Sequence, residues 1–151
     1  MPTPLRIAAQ VTVDAEPGPV WEAAVDWPRQ REWIWATRVS GGHGTGARVT
    51  GWTGIGPIGF TDRMVITEWD PPRRCVLAHT GRVVRGTGGF EVMPRGRGSE
   101  FRWTEHVQLP VPPAIGALAA RVITPIAGWG LRSSLRRFAR LFDSPVPTPQ
   151  D

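Results

Sequence analysis

Glu100-Phe101-Arg102-Trp103-Thr104-Glu105-His106-Val107-Gln108-Leu109 alternates between two faces, and a few residues later the periodicity changes. Phe101, Trp103, Val107 and Leu109 fall on one side, with Arg102, Thr104, His106 and Gln108 on the other, which is the period of a strand. After Pro112-Pro113, apolar residues recur three and four apart to about Asp143, the period of a helix. Leu118, Val122, Ile126 and Trp129 lie along one stripe, and Leu131, Leu135, Phe138 and Leu141 roughly continue it. Arg132, Arg136, Arg137 and Arg140 lie mostly outside that stripe. A long helix must bury its apolar stripe, so the stripe is expected to face a sheet. Pro125 is expected to kink or split the helix.

Upstream of this junction the chain reads as strands and turns. Phe60 to Asp70, Arg73 to Thr80 and Val83 to Met93 are predicted strands, separated by Pro71-Pro72 and by the turn before Val83. Pro94-Arg95-Gly96-Arg97-Gly98 turns the chain into the last strand. Earlier, Ala47 to Thr53 and a strand near Arg38 flank Gly41-Gly42-His43-Gly44-Thr45-Gly46. A phosphate-binding glycine loop opens a helix; this one opens a strand and reads as a hairpin turn. Leu5 to Val13 alternates as a half-buried strand, and Val20, Trp21, Ala24 and Val25 form a short helical face behind Pro17 and Pro19. A second short helix is predicted over about Arg29 to Trp33. The order is strand, two short helices, about six antiparallel strands and one long helix. Residues 1–143 read as one α+β domain, and 144–151 as a frayed Pro-rich tail.

The 151 residues are enough for one core, and 40% apolar with 21% charged residues is globular composition. All 18 basic side chains are arginine, which excludes Schiff-base lysine chemistry and a P-loop lysine. The net charge of +5 is scattered, apart from the C-terminal cluster, so a nucleic-acid partner is not expected. Cys75 is the single cysteine and has no internal disulfide partner; the N-terminus lacks a signal-like apolar stretch, and a cytoplasmic location is expected. Leu109 to Leu131 is long enough to cross a bilayer, but its prolines and glycines fit a buried core helix better.

These pieces together resemble the START-like (SRPBCC) superfamily of the polyketide cyclase/dehydrase and lipid transport type. The resemblance rests on Val11-Thr12-Val13-Asp14-Ala15-Glu16-Pro17 followed by Val20-Trp21 and Asp26, on Trp33, and on Gly46-Ala47-Arg48-Val49. It closes with Val65-Ile66-Thr67-Glu68-Trp69-Asp70-Pro71-Pro72-Arg73-Arg74. It spans roughly residues 5 to 142 and implies a helix-grip fold, with a seven-stranded sheet wrapped around the C-terminal helix. It also implies a ligand tunnel entered near the short helices, the strand-connecting loops and one end of the long helix. Relatives include carriers of lipids or hormones and polyketide aromatase/cyclases, and fold alone does not choose among them.

Two carboxylates fall on apolar strand faces: Glu105 in phase with Trp103 and Val107, and Asp62 in phase with Phe60, Met64 and Ile66. A carboxylate so placed is paired, hydrated or protonated. In a cavity it can move a proton or orient a ligand hydroxyl; otherwise it is partly exposed or ion-paired with an arginine. His79 is either a hydrogen-bonded wall residue or a catalyst, and the apolar run Cys75-Val76-Leu77-Ala78 leaves its register open. Glu105 and then His79 are the catalytic candidates. Trp35, Trp52, Asp62, Met64, Ile66, Phe90, Phe101, Trp103, Val122, Ile126 and Trp129 are the candidate ligand-binding walls, unless the rings fill the space themselves. No His-x-His or Cys-x-x-Cys spacing pre-arranges metal ligands, and no metal or cofactor is expected.

The expected function is binding or carriage of a small hydrophobic ligand between sheet and helix. The alternatives are a cyclase/dehydratase-like enzyme, and a peripheral membrane or protein-interaction module. In that last reading, Arg132, Arg136, Arg137 and Arg140 meet anionic headgroups while Phe138, Leu141 and Phe142 sit against the membrane.

Overall fold

The computed structural model of the protein describes residues 3–143, so the predicted tail from Ser144 lies outside the described residues. Strand β1 (Thr3–Val13) is followed by helix α1 (Pro17–Ala24) and a 3-10 helix (Trp27–Glu32). Strands β2 (Thr37–Gly41), β3 (Arg48–Ile55), β4 (Ile58–Asp70), β5 (Arg74–Thr80), β6 (Arg85–Arg95) and β7 (Gly98–Leu109) come next, then helix α2 (Pro113–Arg140). All seven strands pair antiparallel in one curled sheet, in the order β1-β7-β6-β5-β4-β3-β2. A bulge at Thr67 in β4 helps the sheet bend.

The first turn elements close one end of the sheet. Proline at the start of α1 suits a first helical turn that has no amide partner to lose. Trp21 buries its ring edge-on to Trp69, with centroids 5.1 Å apart, and near Phe90. The indole of Trp27 donates to the Gly42 carbonyl at 2.8 Å, and His43 Nε2 lies 2.8 Å from the Val25 carbonyl. The glycine-rich stretch is thus a hairpin connection tied to α1, and Gly44 and Gly46 take the left-handed backbone it needs.

The core is aromatic. Phe101 from β7 and Phe138 from α2 stack at 4.5 Å, and Trp33 packs edge-on to Phe138 at 4.8 Å. Phe101 and Phe138 are both 0% exposed. Burying a ring of that size stabilises the fold by about 2–3 kcal/mol.

Helix α2 runs unbroken through Pro125, but the stripe expected to face the sheet divides in two. Leu131, Leu135 and Phe138 are buried. Leu118 (68% exposed), Val122, Ile126 and Trp129 instead point outward. Along that half, most of the less exposed residues are small, among them Gly116, Ala120, Ala127 and Gly130, with Ile123 the large exception.

Candidate ligand site

Alternation along three strands brings Asp62 (β4), His79 (β5) and Glu105 (β7) to the concave face. Pairing of Met64 with His79 and of Gly88 with Glu105 fixes their relative heights. His79 Nδ1 lies 2.9 Å from both oxygens of Asp62, and its Nε2 lies 2.9 Å from Glu105 Oε2. The Trp103 indole N–H donates to the other oxygen, Glu105 Oε1, at 2.7 Å. Side-chain exposure is only 6% for His79 and 16% for each carboxylate. Burial alone would lower the affinity of the imidazole for a proton. The hydrogen bonds with Asp62 and Glu105, and their negative charge, outweigh it and raise the His79 pKa from 6.5 to about 9.

Gly88, across the ladder from Glu105, makes room for that carboxylate. A methyl group at this position would come within 2.1 Å of Glu105 Oε2. Glycine in mid-strand marks such a close approach.

Two adjoining spaces border this cluster. The inner cavity, of about 210 Å³, is walled by Trp27, Trp33, Ile34, Val39, Val49, Met64, Leu77, Phe90 and Trp103. The outer one, of about 370 Å³, lies under α2 and is bounded by Leu5, Ile7, Trp35, Phe60, Val84, Ala127, Gly130 and Leu131. They share Ile34, Thr53, Asp62, His79, Trp103 and Glu105. The rings of the sequence therefore do not fill the interior: Trp33, Phe101 and Phe138 close one end and the other stays open.

Of the residues expected to form the site, Asp62, Met64, His79, Phe90, Trp103 and Glu105 line the inner cavity. Asp62 pairs with His79 rather than with an arginine. Trp35 borders the outer space, where its indole donates to Ser133 Oγ at 2.9 Å, stacks with Trp129 and lies under the Arg137 guanidinium. Six expectations need correction. Trp52 lies on the opposite face because Val49, Gly51 and Thr53 take the inner one, and its ring fills the space above Gly54 and Gly59. Ile66 and Phe101 belong to the closed core, further along their strands than the cavity reaches. Val122, Ile126 and Trp129 face outward, each more than half exposed, because the rotation of α2 turns the opposite side of the helix to the sheet.

Trp27, Trp33, Thr53 and Gly88 complete the site and were not among the expected residues. The Gly88-Gly89 pair inside a strand pattern is the available signal for the last of these. Cys75 is buried and its thiol pKa is raised to about 12 by burial and then by Glu68, so it is an unreactive core residue. Among the described residues, no group of three His, Cys, Asp or Glu side chains is placed to hold a metal ion.

A family model described as "Polyketide cyclase / dehydrase and lipid transport" matches residues 4–143. No curated protein matches the chain in sequence. Among solved structures, TTHA0849 from Thermus thermophilus superposes with a TM-score of 0.74 at 17% identity, covering 90% of this chain and 95% of that one. The di-domain ARO/CYC StfQ from the steffimycin biosynthetic pathway gives 0.71 at 15% identity; the match covers 93% of this chain and 51% of StfQ. Protein Ms6760 from Mycobacterium smegmatis gives 0.63 at 16% identity, covering 95% and 93%. At such identities these likenesses speak for the helix-grip fold alone.

Proposed function

The chain belongs to the polyketide cyclase/dehydrase and lipid transport family, and from that premise we propose that it binds and carries a small, largely apolar molecule between sheet and helix. The observation that carries this reading is the pair of adjoining spaces that share the Asp62–His79–Glu105 cluster as a common wall, the inner one also walled by Trp27, Trp33, Phe90 and Trp103. An apolar cavity with a few convergent polar groups is the ordinary form of a small-molecule site. Denaturing mass spectrometry of protein purified from its native host tests it: one recurrent released compound supports the reading. Repeated empty preparations, with tryptophan fluorescence indifferent to lipids and polycyclic aromatics, reject it.

In a cyclase- or dehydratase-like variant of this function, the same cluster would pass a proton through His79 between its two carboxylates. Replacing Glu105 by Gln then abolishes turnover while binding persists; a pure carrier has no turnover to lose.

A second reading concerns the outside of α2. Ile115, Leu118, Val122, Ile126 and Trp129 are all more than half exposed along one side of the helix. The helix carries Arg121, Arg132, Arg136, Arg137 and Arg140 and no Asp or Glu. An exposed apolar stripe flanked by cations suits the interface of an anionic bilayer. Phe138, expected at the membrane in that reading, is core, so the contact would be made by the N-terminal half of the helix. Co-sedimentation with phosphatidylserine vesicles, lost in high salt, is the expected result.

A further inference from the structure

We infer that the cavity selects a ligand with a cationic, hydrogen-bond-donating head, a protonated amine on an apolar body, and rejects carboxylates such as free fatty acids. This inference rests on the ligand-binding reading above and specifies the chemistry of the same site.

Each of the two imidazole-to-carboxylate contacts of His79 holds one proton, whether that proton sits nearer nitrogen or nearer oxygen. An imidazolium between two carboxylates and a neutral imidazole between one carboxylate and one carboxylic acid have the same net charge of minus one. The cluster is therefore anionic in either arrangement, as long as each contact holds one proton and no further proton is taken up. Among the described residues, the ion pairs of Asp62 and Glu105 are with His79 and not with an arginine. The protein has 18 arginines, yet among the described residues none lines either space.

The hydrogen-bonding inventory has the same sign. Two carboxylates offer about eight acceptor positions, against the two N–H groups of His79 and the indole of Trp103. The indole N–H of Trp27 goes to Gly42, and Thr37, which donates to the Trp35 carbonyl, receives its hydrogen bond from Thr53. Among the described residues, Trp33 Nε1 is the one buried side-chain polar atom left without a partner; as an N–H it counts on the donor side, which still stands at four against about eight acceptor positions. The cavity thus holds a surplus of acceptors and an uncompensated negative charge inside aromatic walls. A buried charge needs an opposite charge or strong donors. An ammonium group supplies both, and the aromatic lining by Trp33, Trp103 and Phe90 suits a cation. A ring-sized body fits the inner space of about 210 Å³, since an apolar cavity of ~150 Å³ already accepts benzene.

Three probes with one body and different heads test this: 4-phenylbutylamine, 4-phenylbutanol and 4-phenylbutyrate, titrated at pH 7 by tryptophan fluorescence and calorimetry. The expected order is amine tightest, by about tenfold or more over the alcohol, with the carboxylate not bound. In Asp62→Asn and, separately, Glu105→Gln, that preference should shrink while the alcohol still binds. A carboxylate that binds as well as the amine, or a preference unchanged in both variants, overturns the inference and leaves the cavity reading standing. Failure of all three probes, and of their longer-chain counterparts, removes the cavity reading and the inference with it.

Discussion

Phe101 and Glu105 stand four residues apart on β7, on the same face, and mark two different interiors. At the Phe101 end, α2 presents Leu135 and Phe138, and the space closes to a packed aromatic contact. At the Glu105 end, the helix presents Ala127 and Gly130, and the sheet presents Asp62 and His79. One sheet face gripping one helix thus yields packed core where the helix side chains are large and a cavity where they are small. Most large apolar residues of the second region, Leu118, Val122, Ile126 and Trp129, lie on the outer side of the helix, while Leu131 borders the outer space. The size of the inward residues, rather than the apolarity of the helix, therefore decides where a ligand space exists.

The closed end should be the more sensitive to truncation. Phe138→Ala removes a fully buried ring that touches Trp33 and Phe101, and a loss of about 3–5 kcal/mol is expected in urea unfolding. A loss below about 1 kcal/mol would mean that the two ends do not differ in packing.

The open end should respond to charge instead. His79→Leu leaves two carboxylates facing each other without the imidazole, with an expected cost of about 3 kcal/mol at pH 7. The native protein offers a pH signature for the same group. Its pKa is raised on folding from 6.5 to about 9, so the folded state holds the proton more tightly. That stabilisation is complete below pH 6.5 and is lost as pH rises through about 9. The melting temperature should therefore fall across that window in the native protein and stay flatter in His79→Leu.

Gly88→Ala tests the fit around Glu105 with a single methyl group. The added carbon collides with the carboxylate, which must swing away from His79. The expected cost is about 1–2 kcal/mol, together with a lower His79 pKa in an NMR titration. An unchanged titration would show that the carboxylate has another place to go while keeping its bond.

The outer stripe should matter least for folding. Leu118→Ser with Ile126→Ser is expected to change stability by less than about 0.5 kcal/mol while abolishing vesicle co-sedimentation. A large loss of stability would mean that this side of α2 is covered in solution.

Much of the fold is legible in the sequence because strand and helix periods are local. The alternation through Phe101, Trp103, Glu105 and Val107 and the switch in period after Pro113 appear in the structure within a few residues of their expected bounds. Glu105 and Asp62 stand out because a carboxylate in phase with apolar neighbours breaks a pattern. Their shared partner does not, since Cys75 to Ala78 is apolar in both phases and leaves the register of His79 undefined. Trp52 misleads for a related reason, as ring size says nothing about which face of a strand a residue takes.

The sequence by itself determined the element order, a sheet of about seven strands against a long helix, the placing of two carboxylates in phase with apolar strand neighbours and the absence of lysine chemistry. All of these depend on residue type and spacing along the chain. Only the tertiary structure decided that Asp62, His79 and Glu105 meet, that Gly88 gives the last of them room, and that half of the helix stripe faces outward. Those facts depend on the register between strands and on the rotation of α2 about its axis. A one-residue change in either would reverse them without altering any local pattern.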